Sequence, residues 1–332
     1  MNLAKFPRRG YLQRPTPIEP LTNFSKALGD KVNIWIKRDD LLPGCAGGNK
    51  TRKLDFSFAD AISKGADTVV TCGAVQSNHC RLTLSWAVRE SMDCHLVLEE
   101  RVKGSYHPEA SGNNFLFQVL GAKSITVVPG GSDMKGEMQK VADKLSAEGR
   151  KPYIIPGGAS NAIGATGYVA CAQELMQQLL WMNLNIDHII VPSGSAGTHA
   201  GMVTGLQGSN ADIPVTGINV SRPKELQEEI VHELASQTAA RVGVPHGIPR
   251  ETVNCFDDYV GPGYSLPTDG MIEAVKLLAS TEAMLLDPVY SGKTMAGCID
   301  LVRKDYFADC TNILFLHTGG SPALYAYLDT FR

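Results

Sequence analysis

The stretch HIIVPSGSAGTHAG, residues 188–201, sets an unbroken apolar run against a turn of glycine, serine and alanine, with a helical pattern beginning near His199. A short run that is apolar at every position is expected of a parallel strand covered on both faces. The same pattern recurs outward along the chain. VNIWI (32–36), DTVVTC (67–72), HLVLE (95–99), SITVV (124–128), PYIIP (152–156), PVTGINV (214–220) and NILFLH (312–317) also read as strands. Between them, Leu54, Phe58, Ala61 and Ile62, and again Met138, Val141, Ala142 and Leu145, recur at spacings that place them on one face of a helix. The alternation predicts an α/β protein with mainly parallel sheets, and two open sheets with a cleft between domains fit eight strands better than one barrel does.

The bulk properties agree with that class. A chain of 332 residues is long enough for two packed units, at roughly 150 residues per domain. Apolar residues make up 43% and charged residues 20%, and the net charge of -3 comes without basic or acidic runs, so neither nucleic acid nor a membrane surface is an expected partner. The N-terminal MNLAKFPRRGYLQRP lacks the apolar core of a secretory signal, and no apolar run approaches the roughly 20 residues of a membrane span. The eight cysteines form no C-x-x-C pair and, with the histidines, no metal-ligand spacing; reduced thiols in a soluble, cytoplasmic protein without a metal are expected.

Gly-rich turns follow five strands: CGAVQSNH, PGGSD, PGGASN, PSGSAGTHAG and HTGGSPA. Ligands of open α/β sheets bind beyond the carboxyl ends of strands, so these turns mark where to seek a site for a sizeable polar ligand. Ser193 to Thr198 can be a tight structural turn or an anion cradle, in which small residues let backbone N–H groups and a helix N-terminus face a phosphate. Gly47-Gly48-Asn49-Lys50-Thr51-Arg52-Lys53 puts three cations in the first turn of a helix, where they oppose its dipole. Lys50 is therefore either a surface lysine or a desolvated amine nucleophile. Gln76-Ser77-Asn78-His79 can cap a helix or clamp a carboxylate. Tyr264 and Tyr290, on Gly- and Pro-bounded loops, can anchor those loops or border a ligand ring.

Taken in order, TPIEPL (16–21), IKRDD (36–40), AGGNKTRKL (46–54), GAVQSNH (73–79), SGSAGTHAG (193–201), LLDPVYSGK (285–293) and HTGGSPAL (317–324) resemble the fold type II (tryptophan synthase β-like) pyridoxal-phosphate enzymes. Within them the chain resembles the group of 1-aminocyclopropane-1-carboxylate deaminase, D-cysteine desulfhydrase and L-cysteate sulfo-lyase. The resemblance implies a large cofactor-binding domain, 1–50 with 161–332, and a small inserted α/β domain, 51–160, in a homodimer. It implies pyridoxal 5'-phosphate carried by Lys50, its phosphate held by Gly194, Ser195, Ala196, Gly197 and Thr198, and its ring hydroxyl met by Asn78. Gln76, Ser77, Asn78 and His79 would receive a small amino-acid substrate, and Tyr264 and Tyr290 would line the pocket. Lys50 is the first candidate to remove the Cα proton and Tyr290 the second.

One position separates members of the group. Where the deaminases carry Glu after the DPVY tyrosine, against the pyridine nitrogen, this chain has Ser291, and it has Thr318 where they carry Leu. Hydroxyls there leave the ring nitrogen neutral, which suits simple α,β-elimination rather than cyclopropane opening. MNLAKFPRR (1–9), QSNHCRLTL (76–84), LVLEERVKGSYHPEASGNNFLF (96–117) and TVVPGGSDM (126–134) resemble L-cysteate sulfo-lyase more than D-cysteine desulfhydrase. Cysteate, giving pyruvate, sulfite and ammonium, is thus the first expected substrate, and D-cysteine, giving sulfide, the alternative. Lys53, His79, Arg81 and Arg222 are the candidates to hold a sulfonate. A dinucleotide oxidoreductase fits less well, because no glycine fingerprint with a following acidic residue stands out. A non-catalytic cofactor carrier would keep Lys50 and the phosphate turn without turnover.

Overall fold

The computed structural model describes residues 1–332. Ten strands form two sheets: β1 (Ile18–Pro20), β2 (Asn33–Arg38), β3 (Thr68–Ala74), β4 (Asp93–Glu100), β5 (Ser124–Pro129), β6 (Pro152–Ile155), β7 (His188–Ser193), β8 (Val215–Asn219), β9 (Asn254–Phe256) and β10 (Asn312–His317). The larger sheet has the order β1-β2-β10-β7-β8-β9 and the smaller β5-β4-β3-β6. Every pairing is parallel except β1 with β2, and neither sheet closes into a barrel. All eight expected strands are present. The two additional ones, β1 and β9, are three-residue edge strands, too short to show a period.

The helices are α1 (Thr22–Ala27), α2 (Lys50–Ser63), α3 (Asn78–Arg89), α4 (Asn113–Val119), α5 (Met134–Ala147), α6 (Ala162–Met182), α7 (Gly197–Gln207), α8 (Lys224–Val242), α9 (Asp269–Glu282), α10 (Ser291–Arg303) and α11 (Leu328–Phe331). They cover both faces of both sheets, which explains the unbroken apolar strands. Ile189 and Val191 of β7, with Leu314 and Leu316 of β10, face a core built with α6, α7 and α8. Ile190, Ile313 and Phe315, one residue out of step, face the core made with α1, α9 and α10. On the smaller sheet Val69, Leu96 and Leu98 pack towards α3, whereas Val70 and Val97 pack with Met138, Ala142 and Leu145 of α5. Leu54, Phe58 and Ala61 of α2 are fully buried, but Ile62, expected beside them, is 37% exposed because α2 ends at Ser63. No helix is long and apolar enough to cross a membrane.

Candidate active site

All five glycine-rich turns converge on one cavity of about 920 Å³ between the two sheets. Gly73, Ala74, Ser77, Asn78 and His79 enter after β3; Ser132 and Asp133 after β5; Pro156, Gly157 and Gly158 after β6; Gly194, Ser195, Ala196 and Thr198 after β7; and Thr318 after β10. Lys50, at the start of α2, lines the same wall, as do Tyr264 and Tyr290.

Lys50 Nζ donates to Asn49 Oδ1 at 3.0 Å, and Asn49 Nδ2 donates to Thr198 Oγ1 at 2.9 Å. The amine and the β7–α7 turn are thus joined by one side chain that the sequence reading left without a role, although it stands inside the quoted motif. Burial, assisted by the Arg81 charge and opposed by Asp287, lowers the Lys50 pKa to about 8. The face of Tyr290 lies 5.8 Å from Nζ, and the Tyr290 and Tyr264 hydroxyls share a 2.6 Å hydrogen bond.

The turn before α7 has the features of an anion site. No side chain caps the helix, Ala196 adopts a positive φ of 72°, and the start of α7 opens into the cavity. Behind it, Ser160 Oγ donates to Ser195 Oγ at 2.8 Å and accepts from Gly197 N at 3.3 Å. Gly158, at φ +69°, passes so close that a Cβ would overlap Ser195 Oγ. Lys53 is fully buried and donates to Gly158 O at 2.8 Å and Ser160 Oγ at 3.2 Å, with no carboxylate among its partners. Burial and the neighbouring Lys50 hold its pKa well below the ordinary amine value. An anion in this turn would supply the countercharge that Lys53 lacks, so the residues present fit a phosphate.

On the opposite wall, Ser77 caps α3, its Oγ accepting from Cys80 N at 3.1 Å, which leaves its hydroxyl hydrogen free. Asn78 Oδ1 accepts from Asn113 Nδ2 at 2.8 Å, and Arg81 Nε in turn donates to Asn113 Oδ1 at 2.7 Å. This chain leaves the Asn78 amide hydrogens available to the cavity. His79 reaches the wall but is engaged with Thr71, at 2.8 Å; because the Thr71 hydroxyl donates to Ile155 O, His79 Nε2–H is the donor of that pair. Burial, then Lys50 and Lys53, lower its pKa far enough to keep it neutral.

Three expected site residues lie off the cavity wall. Gln76 is fastened to Asn113 N and Ser111 O. Gly197 packs against Lys53 and Ser160 behind the turn. Ser291 is fully buried, its hydroxyl donating to Asp287 Oδ1 and accepting from Asp287 N, each at 2.8 Å; of the two hydroxyls expected near the ring nitrogen, Thr318 lines the cavity. Asp287 also accepts from the amides of Val289, Tyr290 and Ser291 and so shapes the Tyr290 turn. Of the four candidate sulfonate ligands, Arg81 turns to the carbonyls of Cys45 and Gly47, and Lys53 is directed away as described. His79 is uncharged, whereas Arg222 lines the cavity and donates to Gly194 O at 2.6 Å. Arg101, which lies in the quoted 96–117 stretch but was not among the candidates, joins it there.

Residues 10–319 match the family model described as pyridoxal-phosphate dependent enzyme. D-cysteine desulfhydrases of Salmonella paratyphi C and Salmonella typhimurium are each 42% identical over 326 residues, 98% of this chain and 98% of theirs. The crystal structure of a homologue of 1-aminocyclopropane-1-carboxylate deaminase superposes with a TM-score of 0.89 at 36% identity, covering 99% of this chain and 96% of the other. An L-serine ammonia-lyase of the fungus Rhizomucor miehei shares the fold, with a TM-score of 0.68 at 20% identity over 96% of this chain and 98% of its own. With a buried amine and an uncapped helix N-terminus in one cavity, and an uncompensated lysine behind the turn, this chain belongs to the fold type II pyridoxal-phosphate-dependent enzymes, in the family of 1-aminocyclopropane-1-carboxylate deaminase and D-cysteine desulfhydrase, with pyridoxal 5'-phosphate as its cofactor.

Proposed function

We propose that the chain is a carbon–sulfur lyase that removes the β-thiol of D-cysteine by α,β-elimination, yielding pyruvate, sulfide and ammonium. The observation that carries the reading is the Lys50 amine, lowered towards neutrality and joined through Asn49 to Thr198, in one cavity with Ser77, Asn78, Tyr264 and Tyr290. Identity of 42% to D-cysteine desulfhydrases over nearly the whole chain supports D-cysteine above L-cysteate, reversing the order expected from the sequence.

Lys50 would carry the cofactor, the 194–198 turn with the Lys53–Ser160 pair behind it would hold the phosphate, Asn78 would meet the ring hydroxyl, and Thr318 would border the ring. Bound there, pyridoxal phosphate supplies an electron sink that acidifies the Cα–H of an amino acid. Ser77 and Asn78 offer the hydroxyl and amide hydrogens that receive the substrate carboxylate. The Lys50 amine is placed to take the Cα proton, with Tyr290 as the second candidate. The hydrogen-bonded Tyr264–Tyr290 pair can relay a proton along the cavity wall. The released three-carbon enamine hydrolyses to pyruvate and ammonium.

L-Cysteate, with sulfite as product, is a second reading favoured by one feature: Arg101 and Arg222 both line the cavity, and guanidinium groups hold sulfonates well. Supplying D-cysteine, L-cysteate, L-cysteine and 1-aminocyclopropane-1-carboxylate separately, and measuring pyruvate, sulfide, sulfite and 2-oxobutyrate, tests both. Sulfide and pyruvate from D-cysteine support the first reading; sulfite from cysteate, with no turnover of D-cysteine, replaces it with the second. Lys50→Ala should lose the cofactor's visible absorbance and turnover together, and retained turnover refutes the role given to Lys50. A cytoplasmic homodimer, with 51–160 as its small domain, completes the proposal; light scattering tests the dimer.

A further inference from the structure

Arg101 follows β4 of the smaller sheet, whereas Tyr264 lies between β9 and α9 on the side of the larger sheet, and Tyr290 immediately precedes α10. The Arg101 guanidinium carbon sits 4.3 Å from the Tyr264 ring centroid, so a cation–π contact crosses the cleft along the cavity wall. Arg101 Nε is aimed by Glu99, to which it donates at 2.6 Å. From the other side, Lys293 Nζ donates to Val260 O at 2.7 Å and Gly263 O at 2.8 Å, fixing the loop that presents Tyr264. The Tyr264 hydroxyl in turn holds Tyr290, whose ring faces Lys50.

We infer that Arg101 is a positioning residue that spans the cleft and, by stacking on Tyr264, holds the Tyr264–Tyr290 pair in register with Lys50. The inference rests on the reading that Lys50 carries the cofactor. Its electrostatic consequence follows from the groups that face the pair. Lys50 from α2, Arg222 from the β8–α8 turn, Cys80 from α3, Asp287 beside Tyr290 and Tyr327 near the C-terminus all act on it. Burial raises both phenols above the ordinary value, Asp287 and Cys80 raise Tyr290 further, and Arg101 opposes the rise at both rings. The contact across the cleft thereby also eases ionisation of the pair.

Arg101→Gln and Arg101→Lys, made in the holoenzyme with D-cysteine as substrate, test the inference. D-Cysteine has no sulfonate, so a residue that merely gripped a second substrate anion would not affect it. Arg101→Gln should lower kcat about tenfold with little change in KM, as expected when a reacting pair is misplaced rather than substrate binding lost. Ionisation of the Tyr264–Tyr290 pair, followed by ultraviolet difference absorbance, should move to higher pH, and with it any limb of the pH profile that this ionisation sets. Arg101→Lys, which keeps the charge, should restore the limb. A Gln variant with wild-type kcat and pH profile overturns the inference, as do equal losses in both variants with an unmoved limb. Lys50→Ala separates the two layers: turnover surviving in that variant defeats the underlying reading, whereas an inactive Lys50→Ala beside a normal Arg101→Gln defeats only the cleft contact.

Discussion

Lys50 and Lys53 lie three residues apart on α2, and burial depresses both amines, yet their partners differ. Lys50 faces the cavity with its pKa at about 8, so near neutral pH most of the amine is protonated and cannot attack an aldehyde. The rate at which the cofactor-free protein captures pyridoxal phosphate should therefore rise about tenfold per pH unit towards 8 and level above it, a dependence that stopped-flow absorbance measures. A flat profile between pH 6 and 9 would remove Lys50 as the titrating nucleophile. Lys53 points away from the cavity into Gly158 O and Ser160 Oγ, with no anion of its own. Lys53→Met should accordingly weaken cofactor binding about tenfold or more, the loss typical of a charge-assisted contact, while tolerating burial in the apo protein. Equilibrium titration of cofactor absorbance checks this, and undiminished affinity would show that the countercharge comes from elsewhere.

The apolar runs made the central elements legible, since β3, β7, β8 and β10 lie between two helical layers and are buried along nearly their whole length. The edge strands β1 and β9 escaped detection because three residues carry no period and an edge has fewer neighbours to demand apolar side chains. Helix packing was also hidden, because it depends on small residues whose meaning appears only when a neighbour is known. Gly167 of α6 is one of these: a Cβ there would overlap the Arg52 carbonyl of α2. This close approach brings α6 against the first turn of the helix that starts with Lys50. Gly167→Ala should cost about 1–3 kcal/mol, as overpacking does, despite the better helix propensity of alanine. Gly270→Ala in α9, where the added methyl would meet only Ala296 Cβ at an ordinary 3.5 Å, should be neutral or gain up to about 1 kcal/mol. Urea denaturation midpoints distinguish the pair; equal effects would contradict the packing account.

Across the whole molecule, α2, α6 and the end of β2 meet over charges, and those charges could not be paired from the sequence. Asp39, just after β2, accepts from Arg52 of α2 through both oxygens at 2.8 Å and from the Tyr168 hydroxyl of α6 at 2.6 Å. Glu174 of α6 accepts from Arg52 and from Lys37 of β2, and Lys37 also donates to Thr16 O, tying down the N-terminal segment. Asp39 and Glu174 thus balance Lys37 and Arg52, and partners up to 137 positions apart offer no local signal. The site was legible for a related reason in reverse: its residues cluster in short turns, whereas Asp287, Arg101 and Asn113 stood inside quoted stretches with no role, because their partners lie elsewhere in the chain. Burial alone would raise the Asp39 pKa, but Arg52, Lys37 and Tyr168 outweigh it and hold the pKa below the ordinary value; Glu174 is lowered against burial by Arg52 and Lys37. Carboxylates depressed on folding contribute stability that is complete above their unfolded pKa, about 4, and is lost as pH falls through the folded one. Asp39→Asn removes one negative charge from the buried set and leaves Arg52 partly uncompensated, which should cost about 3–5 kcal/mol at neutral pH. Because the substitution also deletes a group that protonates on unfolding in acid, the difference in melting temperature from wild type should narrow as pH falls below about 4. Calorimetry at pH 7 and at acid pH measures both, and a loss that stays constant across that range would show that Asp39 contributes shape rather than charge.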